Sequence, residues 1–175
     1  MGIYDWARTF QTLYERAVAN YRAGKRTAST LFAPDEIKFL ATIGCTAQEL
    51  FDFVEDFVRG GEPDFATVLL VTAMRRDYFL TIQRAKPSTR VIDMGELPPK
   101  RASLDGIVWL PRIIEKAKAK LRGEMPAELM YLCGGDQQFL KSVNIHPADF
   151  LRVVWAAGED RLRIVDYVKT SAGKP

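Results

Sequence analysis

The chain has little of what most recognisable active sites are built from. Its 175 residues hold two cysteines, Cys45 and Cys133, and a single histidine, His146. Those three side chains cannot complete a four-ligand Cys/His zinc site, so no metal is expected. Two cysteines in a chain of this size read as reduced thiols of a cytoplasmic protein rather than as a disulfide framework. Charge of one sign is also scarce: 25 basic against 22 acidic residues leave a formal net charge of +3. A dedicated nucleic-acid binder carries a stronger electrostatic footprint, so no such partner is expected from charge. Long apolar runs are missing as well. The longest tract, around "FATVLLVTAM", is broken by Thr67 and Thr72 and stops at Arg75 and Arg76, well short of the roughly 20 apolar residues of a membrane span. The N-terminal "MGIYDWARTFQTLYERA" carries charges at Asp5, Arg8, Glu15 and Arg16, unlike the h-region of a signal peptide.

What is present is helical periodicity. The 47% hydrophobic content is enough to bury a core. Trp6, Phe10, Leu13, Ala17 and Tyr21 recur at steps of three or four, the signature of one helix face, and Gly24 ends the run. Pro34 suits the first position of a helix through "PDEIKFLATIG", because its missing N–H is not needed there. Thr46 and Glu49 have capping-box spacing before the stripe Leu50, Phe51, Val54 and Phe57, and Gly60-Gly61 closes that helix. The tract from Asp64 to Ala85 is helical by its length, although "TVLLVT" alone would suit a strand.

Between residues 86 and 104, "KPSTRVIDMGELPPKRASL" has three prolines, one glycine and no sustained period, and reads as a linker with one short strand at "TRVID". Further helices follow at "VWLPRIIEKAKAKLRG", "DQQFLKSVN", "HPADFLRVVWAAG" and "DRLRIVDYVKTS". The expected architecture is all-α, with an N-terminal helical module over 1–85, a Pro-rich linker over 86–104 and a C-terminal helical module over 105–175.

The two modules read as copies of one unit. At an offset of 100, Glu15, Ala17, Ala19, Arg22, Phe39, Leu40 and Val54 meet identical residues. Those are seven identities over 40 ungapped positions, against about two or three from average usage. The offset sets His146 opposite the cap Thr46, ahead of Pro147 and Asp149 in the first turn, so the histidine reads as a cap.

The stretch from about Glu96 to Val168 resembles the bacterial family known as domain of unknown function 5069. The residues that carry the resemblance are Leu104-Asp105-Gly106, Leu110-Pro111-Arg112, the Lys/Ala-rich run Glu115 to Arg122, and Asp136-Gln137-Gln138-Phe139-Leu140. It departs from the family pattern at Gly134-Gly135, where Pro-Leu is usual, and at Gln138, where arginine is usual. The resemblance implies a helical fold, no assigned activity, and no anion contact from that missing arginine.

Weighing the candidate chemistry leaves few residues. "CGGDQQ" lacks the longer glycine-spaced turn and Lys-Ser/Thr of a phosphate loop, and no cofactor is expected. Cys133 reads as a structural thiol, and Asp136 as the N-cap of "QQFLKSVN". Arg112, Lys116 and Lys120, at i, i+4 and i+8, read as a solvated flank beside the apolar face of Leu110, Ile113, Ala117 and Leu121. Trp109 packs at the helix entrance. If Trp109, Arg112, Lys116, Asp136 and Gln137 converge beside the linker, the boundary between the halves becomes a site for a small acidic ligand.

The leading expectation is therefore a non-enzymatic cytoplasmic module that binds a protein partner or small acidic ligand, with a homodimer as one arrangement. The alternative is a small-molecule enzyme, which requires Asp136, Arg112, Cys133 or His146 in one pocket. A weak nucleic-acid binder is the third, and requires the Arg112 stripe to merge with Arg75, Arg76, Lys100 and Arg101.

Overall fold

The computed structural model describes residues 3–173. It is helical almost throughout, as its periodicity demands, and divides into two compact units, Met1–Lys86 and Pro87–Pro175.

The first unit contains α1 (Trp6–Arg22), α2 (Ala28–Leu31), α3 (Pro34–Thr42), α4 (Ala47–Gly60) and α5 (Phe65–Thr81). α1 turns Phe10, Leu13, Tyr14, Ala17 and Tyr21 inward and packs on α4 and α5. The Tyr14 and Phe65 ring centroids lie 5.1 Å apart, and those of Tyr21 and Phe51 5.9 Å. Each such side chain, when fully buried, stabilises the unit by about 1.5–3 kcal/mol. α4 opens on the Thr46 hydroxyl, which accepts the Glu49 N–H at 3.1 Å, and closes on Gly61 at φ 80°. In α5 the ambiguous "TVLLVT" is helical: Val68, Val71, Thr72, Met74, Arg75 and Phe79 are buried. Gly44, between α3 and α4, has no substitute, because φ is 69° and an added Cβ would stand 2.7 Å from Phe79 Cγ.

The second unit begins with residues 87–104. The strand expected at "TRVID" is not formed there. Ile92 and Leu97 are instead buried with Ala119 and Leu129, and the Ile92 N–H bonds the Glu124 carbonyl at 2.9 Å. The β-structure is a two-residue-per-strand hairpin, β1 (Ser103–Leu104) and β2 (Ile107–Val108), antiparallel with Ser103 opposite Val108. Its turn is Asp105-Gly106, with φ of 51° and 78°. A tight hairpin needs positive φ at both central residues, which Asp-Gly supplies and "TRVID" cannot.

Helices α6 (Leu110–Arg122), α7 (Gly134–Ser142), α8 (Pro147–Ala157) and α9 (Arg161–Ala172) follow. α6 packs on α8, and α8 on α9, around Ile113, Ala117, Phe150, Val154, Ile164 and Val168. As expected, His146 caps α8, its Nδ1 accepting the Ala148 N–H at 3.2 Å. The start of α7 differs from expectation. Cys133 is the N-cap and both Gly134 and Gly135 are helical, which puts Asp136 at the third helical position, not at the cap.

Local geometry recurs between the units one hundred residues apart. α3 and α7 have the same bounds at that offset. The Thr42 hydroxyl donates to the Phe39 carbonyl at 2.6 Å, and Ser142 to Phe139 at 2.7 Å. After each helix comes a residue of positive φ, Gly44 at 69° and Asn144 at 53°. The N–H of Cys45 then reaches the Leu40 carbonyl, and that of Ile145 the Leu140 carbonyl, both at 3.0 Å.

Candidate functional site

The polar residues of the second unit converge on Asp136. Because α7 starts at Gly134, the Asp136 carboxylate lies in the first turn and reaches back over it, accepting the Leu132 backbone N–H at 2.9 Å. α6 presents Lys116 from its inward side, and the Lys116 ammonium ion-pairs with Asp136 Oδ2 and donates to Cys133 Sγ at 3.2 Å. Trp109, at the entrance to α6, adopts φ 74°, uncommon for a non-glycine residue. This backbone turns its indole toward α7, where Nε1 donates to Asp136 Oδ1 at 3.0 Å. The ring covers Gly135 so closely that a Cβ there would stand 2.5 Å from Trp109 Cζ2.

Burial sets the energetics. Lys116 is 1% exposed and Asp136 0%. An isolated charge in such a place costs far more than folding supplies, whereas a pair with its remaining hydrogen bonds made is tolerated. Three different donors serve Asp136: an ammonium, a backbone amide and an indole. Tyr131 is buried beside them, with its hydroxyl donating to the Pro147 carbonyl at 2.9 Å. Its phenol is held well above the ordinary range, first by burial and second by the Asp136 charge.

Of the five residues singled out in the sequence, Trp109, Lys116 and Asp136 touch directly. Gln137 joins at one remove, its amide donating to the Leu132 carbonyl at 3.0 Å. Arg112 goes elsewhere: it donates to the Pro98 carbonyl at 2.8 Å and so ties α6 to the Pro-rich segment. Cys133 stands in the network, while His146 is occupied as the α8 cap. The lysines of the expected solvated flank are inside. Lys116 and Lys120 are buried, and the mostly buried Lys118 reaches Glu159 at 2.8 Å. Arg75, another member of the envisaged basic surface, is buried in the first unit. The stripe turned inward because α6 buries more than the width of its apolar face, and α7 supplies Lys116 with a carboxylate.

Sequence reasoning missed a groove in the first unit. Between α1 and α3 lies a cavity of about 290 Å³, lined by Thr9, Thr12, Leu13 and Arg16 of α1 and Asp35, Glu36 and Phe39 of α3. Glu36, 7% exposed, accepts the Ala33 N–H on Oε2 at 2.6 Å and pairs with Arg16 through Oε1. The signal was in the offset: Arg16 and Glu36 stand one hundred residues before Lys116 and Asp136.

Among the described residues, no group of three or more His, Cys, Asp or Glu side chains is placed to hold a metal ion. No helix among them is long and apolar enough to cross a membrane. No curated protein and no solved structure matches the chain. Residues 97–174, which carry the whole Trp109–Lys116–Asp136 network, match the model of the family described as Domain of unknown function (DUF5069), the family that this half resembles in sequence.

Proposed function

We propose that the protein is a non-enzymatic, cytoplasmic binding module made of two copies of one helical unit. The second copy is closed by its own tryptophan, and the first is open to a ligand. One observation carries this reading. The groove of the first unit is bounded by Thr9, Arg16, Asp35 and Glu36, and at an offset of one hundred these are Trp109, Lys116, Gly135 and Asp136, the residues of the filled network. A basic residue on the long helix and an acid at the third position of the short helix are paired in both units. Only the second carries an indole over the pair.

Binding is favoured over catalysis because the Asp136 carboxylate already holds three donors, one of them a buried ammonium. A general base must be within reach of a substrate proton. On this reading Trp109, Lys116, Asp136 and Gln137 serve as an internal clamp and Arg112 as its outer tie. The free state of both thiols agrees with a reducing compartment.

The test is a fragment screen on the full chain by two-dimensional ¹H–¹⁵N NMR. Ligands are expected to move the amide signals of Thr9, Thr12, Asp35 and Glu36 and to leave those of Gly135 and Asp136 in place. Saturable shifts at residues 133–137 without shifts at 9–16 and 35–39 would refute the open-groove reading.

A further inference from the structure

We infer that the groove between α1 and α3 binds a small aromatic amine whose ring N–H donates to the Glu36 carboxylate. The inference rests on the open-groove reading and adds the chemistry of the ligand. Its basis is that the protein contains its own example of an occupant, the indole of Trp109.

The Asp136 carboxylate takes three kinds of donor: the Lys116 ammonium, the backbone N–H of Leu132 just before the α7 cap, and the indole N–H. Glu36 has matching partners for the first two, the Arg16 guanidinium and the Ala33 N–H. A carboxylate offers about four acceptor positions. The third donor is what differs: one hundred residues before Trp109 stands Thr9, which lies within α1 rather than ahead of it and carries neither a ring nor a ring N–H. Beside Thr9 is the 290 Å³ cavity. Its apolar contacts come from Leu13 and Phe39, whose positions are taken by Ile113 and Phe139 in the second unit.

Asp35 refines the ligand. Its equivalent, Gly135, is bare because the Trp109 ring lies where a Cβ would be. With Asp35 there, a ring in the groove must sit further out, over Thr9 and Thr12, and its outer edge faces a second carboxylate. Two carboxylates against the one guanidinium of Arg16 favour a cation over an anion. The acidic ligand expected from sequence is thereby replaced by an arylalkylamine: a flat ring with an N–H, and an ammonium on a short tether.

The experiment is NMR titration of the full chain with tryptamine, 1-methyltryptamine and indole-3-acetate. Tryptamine is expected to give saturable shifts at Thr9, Thr12, Asp35 and Glu36. Blocking the ring N–H with a methyl group should weaken binding at least about 5-fold, the loss of one hydrogen bond to a charged acceptor, and indole-3-acetate should bind more weakly still. A Thr9→Trp variant puts a bulky ring on the α1 wall of the groove and should abolish tryptamine binding without lowering Tm. Equal binding of the methylated analogue, or stronger binding of indole-3-acetate, overturns the inference. If other fragments saturate the same amides and tryptamine does not, the inference falls while the groove stands. If no fragment moves them, both fall.

Discussion

Replacing Lys116 by methionine tests the central pair most directly. Methionine keeps an unbranched apolar stem of similar length and removes the ammonium, so packing along α6 is largely conserved. What remains is the fully buried Asp136 carboxylate, now holding only the Leu132 N–H and the Trp109 indole N–H. Removing one partner of a buried ion pair costs about 3–5 kcal/mol. The two surviving donors place Lys116→Met at about 3 kcal/mol, near the lower end of that range. Asp136→Asn leaves the ammonium buried instead and should cost a similar amount. The double variant removes both charges and should be more stable than the sum of the singles predicts by about 1–3 kcal/mol. Urea unfolding followed by tryptophan fluorescence in a Trp6→Phe background confines the signal to Trp109 and Trp155, both in the second unit. With a slope of about 1–3 kcal/mol per molar urea, the midpoint should fall by at least about 1 M. A midpoint shift below about 0.3 M, or strictly additive single variants, would refute the claim that the pair is buried and coupled.

Gly135→Ala pushes a methyl group into the indole and should cost about 1–3 kcal/mol as overpacking, with a red shift of Trp109 emission as the diagnostic; an unchanged spectrum would deny the contact. Thr46→Ala removes the hydroxyl that holds the Glu49 N–H and should destabilise the first unit by about 0.5–2 kcal/mol, read as a lower urea midpoint of its Trp6 signal. Burial raises the Asp52 carboxyl from its ordinary 3.8 to about 6, against a lowering hydrogen bond from Gln48 and with Asp56 and Glu55 adding to the rise. The folded chain therefore holds this proton more tightly than the unfolded chain. Its contribution to stability is greatest below the ordinary value and declines as pH rises through about 6. Asp52→Asn should flatten the stability profile of the first unit between those limits, with the residual slope coming from Asp56, which is also raised by burial; an identical slope in the variant would remove Asp52 as its source.

Helix starts were legible because their chemistry is local. Pro34, Thr46, His146 and Pro147 act on the turn that follows them, and each does so in the structure. Asp136 deceived because an acid after two glycines looks like a cap, whereas helical Gly135 is required by a ring that arrives from 26 residues earlier in the chain. "TRVID" has the composition of a strand and no partner; the short pairing went to the segment that owns an Asp-Gly turn. Arg112, Lys116 and Lys120 at i, i+4 and i+8 look like a solvated flank until the fold covers the two lysines, and periodicity along one helix says nothing of its neighbour. The groove was hidden for the same reason: it depends on what Thr9 fails to fill, and a void shows only when the walls are assembled.

The seating of Trp109 has a consequence for stoichiometry. A ring attached to the backbone that forms its own receptor is present at an effective concentration that no dissolved competitor approaches. On the open-groove proposal, the second unit should keep its own indole however much ligand is added, and the chain should titrate as one equivalent. Its saturation curve should then be a simple hyperbola without cooperativity.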